Sequence, residues 1–179
     1  MRWIIDLPVQ LERAIRAHLF QSSLEQGAFL FARVEATPHL SRIRVNKAYL
    51  VPPGGWRFQG PLYLELKDEE RAHVMQMARE AGYCLIDCHS HPDSGDYVEF
   101  SSSDVLAITE FASYVRWKLD ARPYIAMVWS KAAVDAVVWH GDFTKADFVN
   151  ELHVTGHSGR VLIPAGSWPR LDGGGYRND

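Results

Sequence analysis

Tyr83–Leu119 reads YCLIDCHSHPDSGDYVEFSSSDVLAITEFASYVRWKL, and this stretch decides the architecture. Tyr83 to Cys88 is a short apolar run that reads as a buried strand leading straight into His89 and His91. Pro92 stops that strand, because proline cannot donate to a β-ladder. A polar, turn-prone connection follows, with Asp93, Ser94, Gly95 and Asp96 in sequence. From about Ser102 to Leu119 a helix is expected, since Val105, Ile108, Phe111, Ala112, Val115 and Leu119 recur at helical spacing. The histidines therefore stand where a strand gives way to a loop and the loop to a helix.

The residue types at this junction carry chemistry. His89 and His91 are two positions apart, so on an extended segment both imidazoles point to one side. Asp104 follows in the first turn of the expected helix, with Ser101 three positions before it. Two imidazoles and one carboxylate form a three-ligand zinc site with an open position for water, the pattern of a catalytic site. Such a site needs a separate general base, and Glu25, in LEQGAFLFA, is the candidate. Ser-x-x-Asp ahead of an apolar helix is also close to a capping box, so a capping role and a functional role both stand. If Ser101 faces a reacting carbonyl, Ser102 or Ser103 can supply the cap.

Glu25, then His89-Ser90-His91-Pro92, then Ser101 and Asp104, in that chain order, resembles the JAMM motif of the MPN-domain (JAB/Mov34) zinc metalloproteases. The resemblance includes Gly27 and extends over the strand and helix signals from about residue 8 to about residue 140. It implies an MPN (JAB)-like α/β fold and one Zn2+ per chain, held by His89, His91 and Asp104. It also implies that Glu25 is the general base and Ser101 the oxyanion donor. The implied activity is isopeptidase or peptidase cleavage after the C-terminal tail of a ubiquitin-like protein or its conjugate. A bacterial ubiquitin-like or antiphage pathway fits this activity. Sulfur-carrier protein processing, small peptide or amide hydrolysis and a non-catalytic MPN scaffold are the alternatives. The connection from His91 to Ser101 is longer than the family's commonest form.

Two further groups invite rival metal readings. Cys84 and Cys88 lie close to the histidines, but on one strand they share a face and His89 and His91 take the other. They read as buried free thiols. His153 and His157 have the spacing of a helical pair, but Val154, Thr155 and Gly156 oppose a helix there, and both read as surface histidines.

The rest of the chain supplies the frame. Pro8 opens a helix with Leu11, Ala14, Ile15 and Leu19 on one stripe, and Gly27–Val34 reads as a buried strand. Arg42–Val51 is a second strand, broken by Pro52, Pro53, Gly54 and Gly55. A helix begins at Asp68 and ends at Gly82; later, Pro123–Trp129 and Ala133–Trp139 form a hairpin. From about 141 the pattern weakens, and an irregular arm with a frayed end around Gly173–Gly175 is expected. The expected architecture is one α/β domain over residues 1–179, a mixed β-sheet flanked by α-helices.

Composition narrows the classes. With 19 basic against 22 acidic residues, a net charge of −3 and no basic block, nucleic acid is not an expected partner. The apolar runs are too short to cross a bilayer, and Asp6, Pro8 and Glu12 come too early for a signal peptide. Two cysteines are too few for a disulfide scaffold, so a cytoplasmic location is expected.

Overall fold

The computed structural model describes residues 1–169 apart from 143 and 158, so the Gly173–Gly175 end lies outside the described residues. The main sheet contains β1 (Arg2–Pro8), β2 (Gly27–Ala36), β3 (Leu40–Leu50), β6 (Cys84–Ser90), β7 (Tyr124–Trp129), β8 (Val134–Trp139), β9 (Ala146–Phe148), β10 (Glu151–Thr155) and β11 (Arg160–Leu162). Its order is β11-β10-β1-β3-β2-β6-β7-β8-β9. β1 runs parallel to both β10 and β3, and β6 runs parallel to β7; the other pairs are antiparallel. The sheet is therefore mixed. A separate ribbon pairs β4 (Trp56–Gln59) with β5 (Leu64–Leu66).

Helices cover both faces. On one face, α1 (Val9–Leu19) brings Ile15 and Leu19 onto a core with Ile5, Leu7, Leu30, Ile86 and Trp129. On the other, α2 (Asp68–Glu80) and α3 (Ser102–Lys118) pack over Phe29, Phe31, Leu85, Tyr124 and Val137. α3 buries Ile108, Ala112 and Val115, the stripe that spacings of four and three residues put on one side. Each large apolar side chain so buried contributes about 1.5–3 kcal/mol. α2 stops because Gly82 takes φ +68°, a left-handed turn that returns the chain to β6. No helix among the described residues is long and apolar enough to cross a membrane.

Two features depart from expectation. β1 runs from Arg2 up to and including Pro8, where no strand was expected; Trp3, Ile4, Ile5 and Leu7 are all buried there. The stretch after residue 141 is more regular than an irregular arm, since it supplies β9, β10 and β11. β10 is only five residues long and pairs with β1 from the opposite end of the chain, so no local pattern announces it.

Candidate metal centre

β6 sorts its side chains by parity. Cys84, Ile86 and Cys88 enter the α1-side core, while Leu85 joins the core on the α2/α3 side. His89 belongs to the second set, which opens onto a cavity of about 440 Å³. His91 lies just past the strand end, where its amide donates to Trp129 O at 2.8 Å and fixes the exit of the chain. The two thiols are thus on the wrong face for a metal shared with the histidines. Burial raises Cys84 to about 12 and Cys88 higher still, which keeps both protonated.

Asp104 arrives from α3. Ser101 is the N-cap: its hydroxyl oxygen accepts the Asp104 amide at 3.2 Å, and Asp104 Oδ2 accepts the Ser101 amide at 2.7 Å. The Ser101 hydroxyl also donates to Oδ2 at 2.7 Å. The capping box is therefore built by Ser101 itself, and neither Ser102 nor Ser103 takes that role. The same box clamps Asp104 in one orientation. Asp104 Oδ1 stands 3.5 Å from His89 Nε2, and Oδ2 stands 3.3 Å from His91 Nε2.

Glu25 precedes β2 and is only 4% exposed. Its backbone is pinned on every side. The Glu25 amide donates to Gly60 O at 3.0 Å, Gln59 Nε2 donates to Glu25 O at 2.9 Å, and the Gln26 amide donates to Ser90 Oγ at 3.0 Å. Ser90, fully buried between the two histidines, thus ties the end of β2 to the end of β6. Glu25 Oε1 consequently stands 3.6 Å from His91 Nε2. Gly27 pairs with His89 across the strands and leaves room for Trp56, whose ring would meet a Cβ at 2.6 Å.

The ligand atoms of His89, His91 and Asp104 all lie within 4.8 Å of one another, so this group can hold a metal ion. His89 Nε2 is buried without a hydrogen-bond partner, an expensive state that coordination would relieve. Two imidazole nitrogens and one carboxylate suit a borderline divalent cation better than calcium or magnesium, which prefer oxygen donors. Side-chain exposures of 12%, 15% and 18% for His89, His91 and Asp104 leave an approach to the site.

The charges are interdependent. Burial raises Glu25 above its ordinary carboxyl value; His89 and His91 oppose this, and Asp104 adds to it. For Asp104 burial also acts upward, but the pull of the neighbouring His89 and His91 prevails and holds the carboxyl well below its usual range. Burial acts downward on His89, yet Asp104, then Asp87 and Glu25, outweigh it and raise the imidazole.

The sequence singled out Glu25, His89, His91, Ser101 and Asp104, and the fold brings all five together. It did not find Asp87, which shares the His89 face, lines the cavity and accepts from Tyr124 Oη at 3.2 Å. The parity that cleared the cysteines would have found it. The Asp93–Phe100 connection does not line this cavity; Val98 and Phe100 turn into the core instead. Trp56, Leu64, Phe111 and Tyr114 supply the walls. His153 lies partly exposed on a strand beside acids, with Nε2 2.6 Å from Glu151 Oε2 and Nδ1 3.7 Å from Asp6 Oδ1. No family model and no curated protein matches this chain.

Proposed function

We propose that this protein is a zinc-dependent hydrolase of the JAMM kind, with an MPN-like fold, cleaving an amide or isopeptide bond after the tail of a ubiquitin-like protein. The observation that carries the reading is the convergence of four groups: the His89, His91 and Asp104 donors within 4.8 Å of one another, and Glu25 Oε1 at 3.6 Å from His91 Nε2. A carboxylate beside a His-His-Asp trio, yet outside it, has the position of a general base. When bound, zinc supplies Lewis acidity, polarising a carbonyl and making water acidic enough to attack near neutral pH.

The chain's own residues do the rest. Glu25, raised by burial, takes a proton from the attacking water and returns it to the leaving nitrogen. Asp104 keeps its charge beside His89 and His91, and its orientation through the Ser101 box. Turned off Asp104 Oδ2, the Ser101 hydroxyl is the donor for the developing oxyanion. The walls around the cavity, Trp56 and Phe111 among them, limit competing water.

The ubiquitin-like substrate rests on the motif resemblance, and the strand topology supports one route for its tail over others. β2 and β6 are paired on both sides, so an extended tail cannot add to the main sheet at the site. The β4–β5 ribbon borders the cavity and, among the described residues, leaves each strand an outer edge for main-chain pairing. Phe58, Leu62 and Tyr63 are exposed on and beside it. Glu25→Gln keeps the shape of the site but removes the base. It should retain metal and slow cleavage of a ubiquitin-like fusion by about 10²- to 10⁴-fold. Cleavage at the wild-type rate would reject Glu25 as the base, and equal kcat/KM for the fusion and a bare tail peptide would reject the folded body as part of recognition.

A further inference from the structure

The two halves of the metal centre ride on different elements. His89 and His91 come from β6 and its end, Asp104 from α3, and the connection from Pro92 to Phe100 between them has no regular structure. Whatever holds the far end of that connection sets where Asp104 stands against the histidines. The holding comes from the C-terminal side of the chain. The Ala165 amide donates to Val134 O at 3.1 Å, which lays the segment along β8. Asp135, fully buried in β8, then receives the Gly166 amide at 2.8 Å, the Ser167 amide at 2.8 Å and the Ser167 hydroxyl. With the Ala136 amide also at 2.8 Å, the hydrogen-bonding capacity of this buried carboxylate is well filled.

The chain of contacts continues to the metal site. Ser167 Oγ accepts the Phe100 amide at 3.3 Å. Trp168 packs edge-on against Phe100 at 5.0 Å and against Trp139 at 5.1 Å between ring centroids. The Phe100 ring lies 6.1 Å from that of His89, and the residue after Phe100 is Ser101, which clamps Asp104. Asp135, Ser167, Phe100, Ser101 and Asp104 are thus joined by direct contacts or chain adjacency. Another anchor of the connection, Ser130 Oγ donating to Gly95 O at 2.9 Å, holds its middle rather than its end.

We propose that Ala165–Trp168 is the positioning element of the metal centre, and that Asp135 and Ser167 are the positioning residues through which it sets Asp104 against His89 and His91. This rests on reading that trio as a metal site. Outer-shell partners of metal ligands typically carry 10- to 100-fold in metal affinity. Ser167 acts through a backbone and a helix cap, so about ten-fold is expected.

The test is the Zn2+ dissociation constant, by competition with a chelating indicator, for wild type, Ser167→Ala, Ser167→Thr and Val154→Ala. The last removes core volume on β10, away from the connection. Ser167→Ala should weaken Zn2+ binding about ten-fold. Ser167→Thr, which keeps the hydroxyl, should recover most of it, and Val154→Ala should bind like wild type. In metal-free protein, hydrogen exchange at the Phe100 amide should speed up in Ser167→Ala and not in Val154→Ala. Wild-type affinity or unchanged Phe100 exchange in Ser167→Ala overturns the proposal, as does equal weakening in Val154→Ala or no recovery with threonine. A wild-type protein that binds no Zn2+ fails the metal reading itself, which separates the two failures.

Discussion

Replacing Asp87 by asparagine should make the metal-free protein more stable at neutral pH, although it removes a charge beside a proposed active site. Burial raises the Asp87 carboxyl from its ordinary 3.8 to about 6, against the opposing pull of His89 and the Tyr124 hydroxyl. The unfolded chain releases this proton near 3.8, while the folded protein keeps it up to about 6. Between those values the native state binds more protons, so stability falls as pH rises through the window and stays reduced above it. The gap corresponds to about 3 kcal/mol at neutral pH. Asparagine has no such penalty, and its carbonyl can still accept from Tyr124 Oη. Urea unfolding of metal-free wild type and Asp87→Asn should therefore diverge between about pH 4 and pH 6 and differ by about 2–3 kcal/mol at pH 7. Equal stability at both ends, or a variant less stable at pH 7, would refute the argument from burial.

Three other outcomes follow from the site's geometry. Ser101→Ala should lower stability by about 1 kcal/mol through loss of the cap, and should slow hydrolysis by on the order of 10²-fold. A stability loss with an unchanged rate would leave Ser101 a cap alone. Ser90→Ala strands the buried Gln26 amide and should cost about 1–3 kcal/mol in denaturant unfolding, with a lower kcat because Glu25 loses its anchor. Gly27→Ala forces Trp56 away from a contact of 2.6 Å and should cost about 1–3 kcal/mol; an unchanged midpoint would show that the ring moves freely.

Legibility followed the range of the forces involved. The β6-to-α3 passage could be read because each signal in it is local: strand parity for the histidines, a cap spacing for Ser101 and Asp104, a helical stripe from Val105 onward. Glu25 could be named as a candidate base by what such a site needs and by its resemblance to a motif, but what places it beside the histidines is a set of contacts made by Glu25 and Gln26 with Gln59, Gly60 and Ser90 from other parts of the chain. β1 hid because a short strand with parallel partners on both sides shows an apolar run and no alternation. Asp135 and Ser167 hid for a similar reason. A buried aspartate in a strand and a serine between Gly166 and Trp168 gain meaning only when the chain folds back across β8.

The central claim is that His89, His91 and Asp104 bind a metal ion while Glu25 stands beside it as a base. The most direct measurement is zinc bound per chain in metal-loaded wild type, His89→Ala, Asp104→Ala, Glu25→Gln and the Cys84→Ser, Cys88→Ser double variant. The account predicts one zinc in wild type, in Glu25→Gln and in the cysteine variant, and loss of tightly bound zinc in His89→Ala and Asp104→Ala. Zinc retained equally by all five, or lost only with the cysteines, would contradict it.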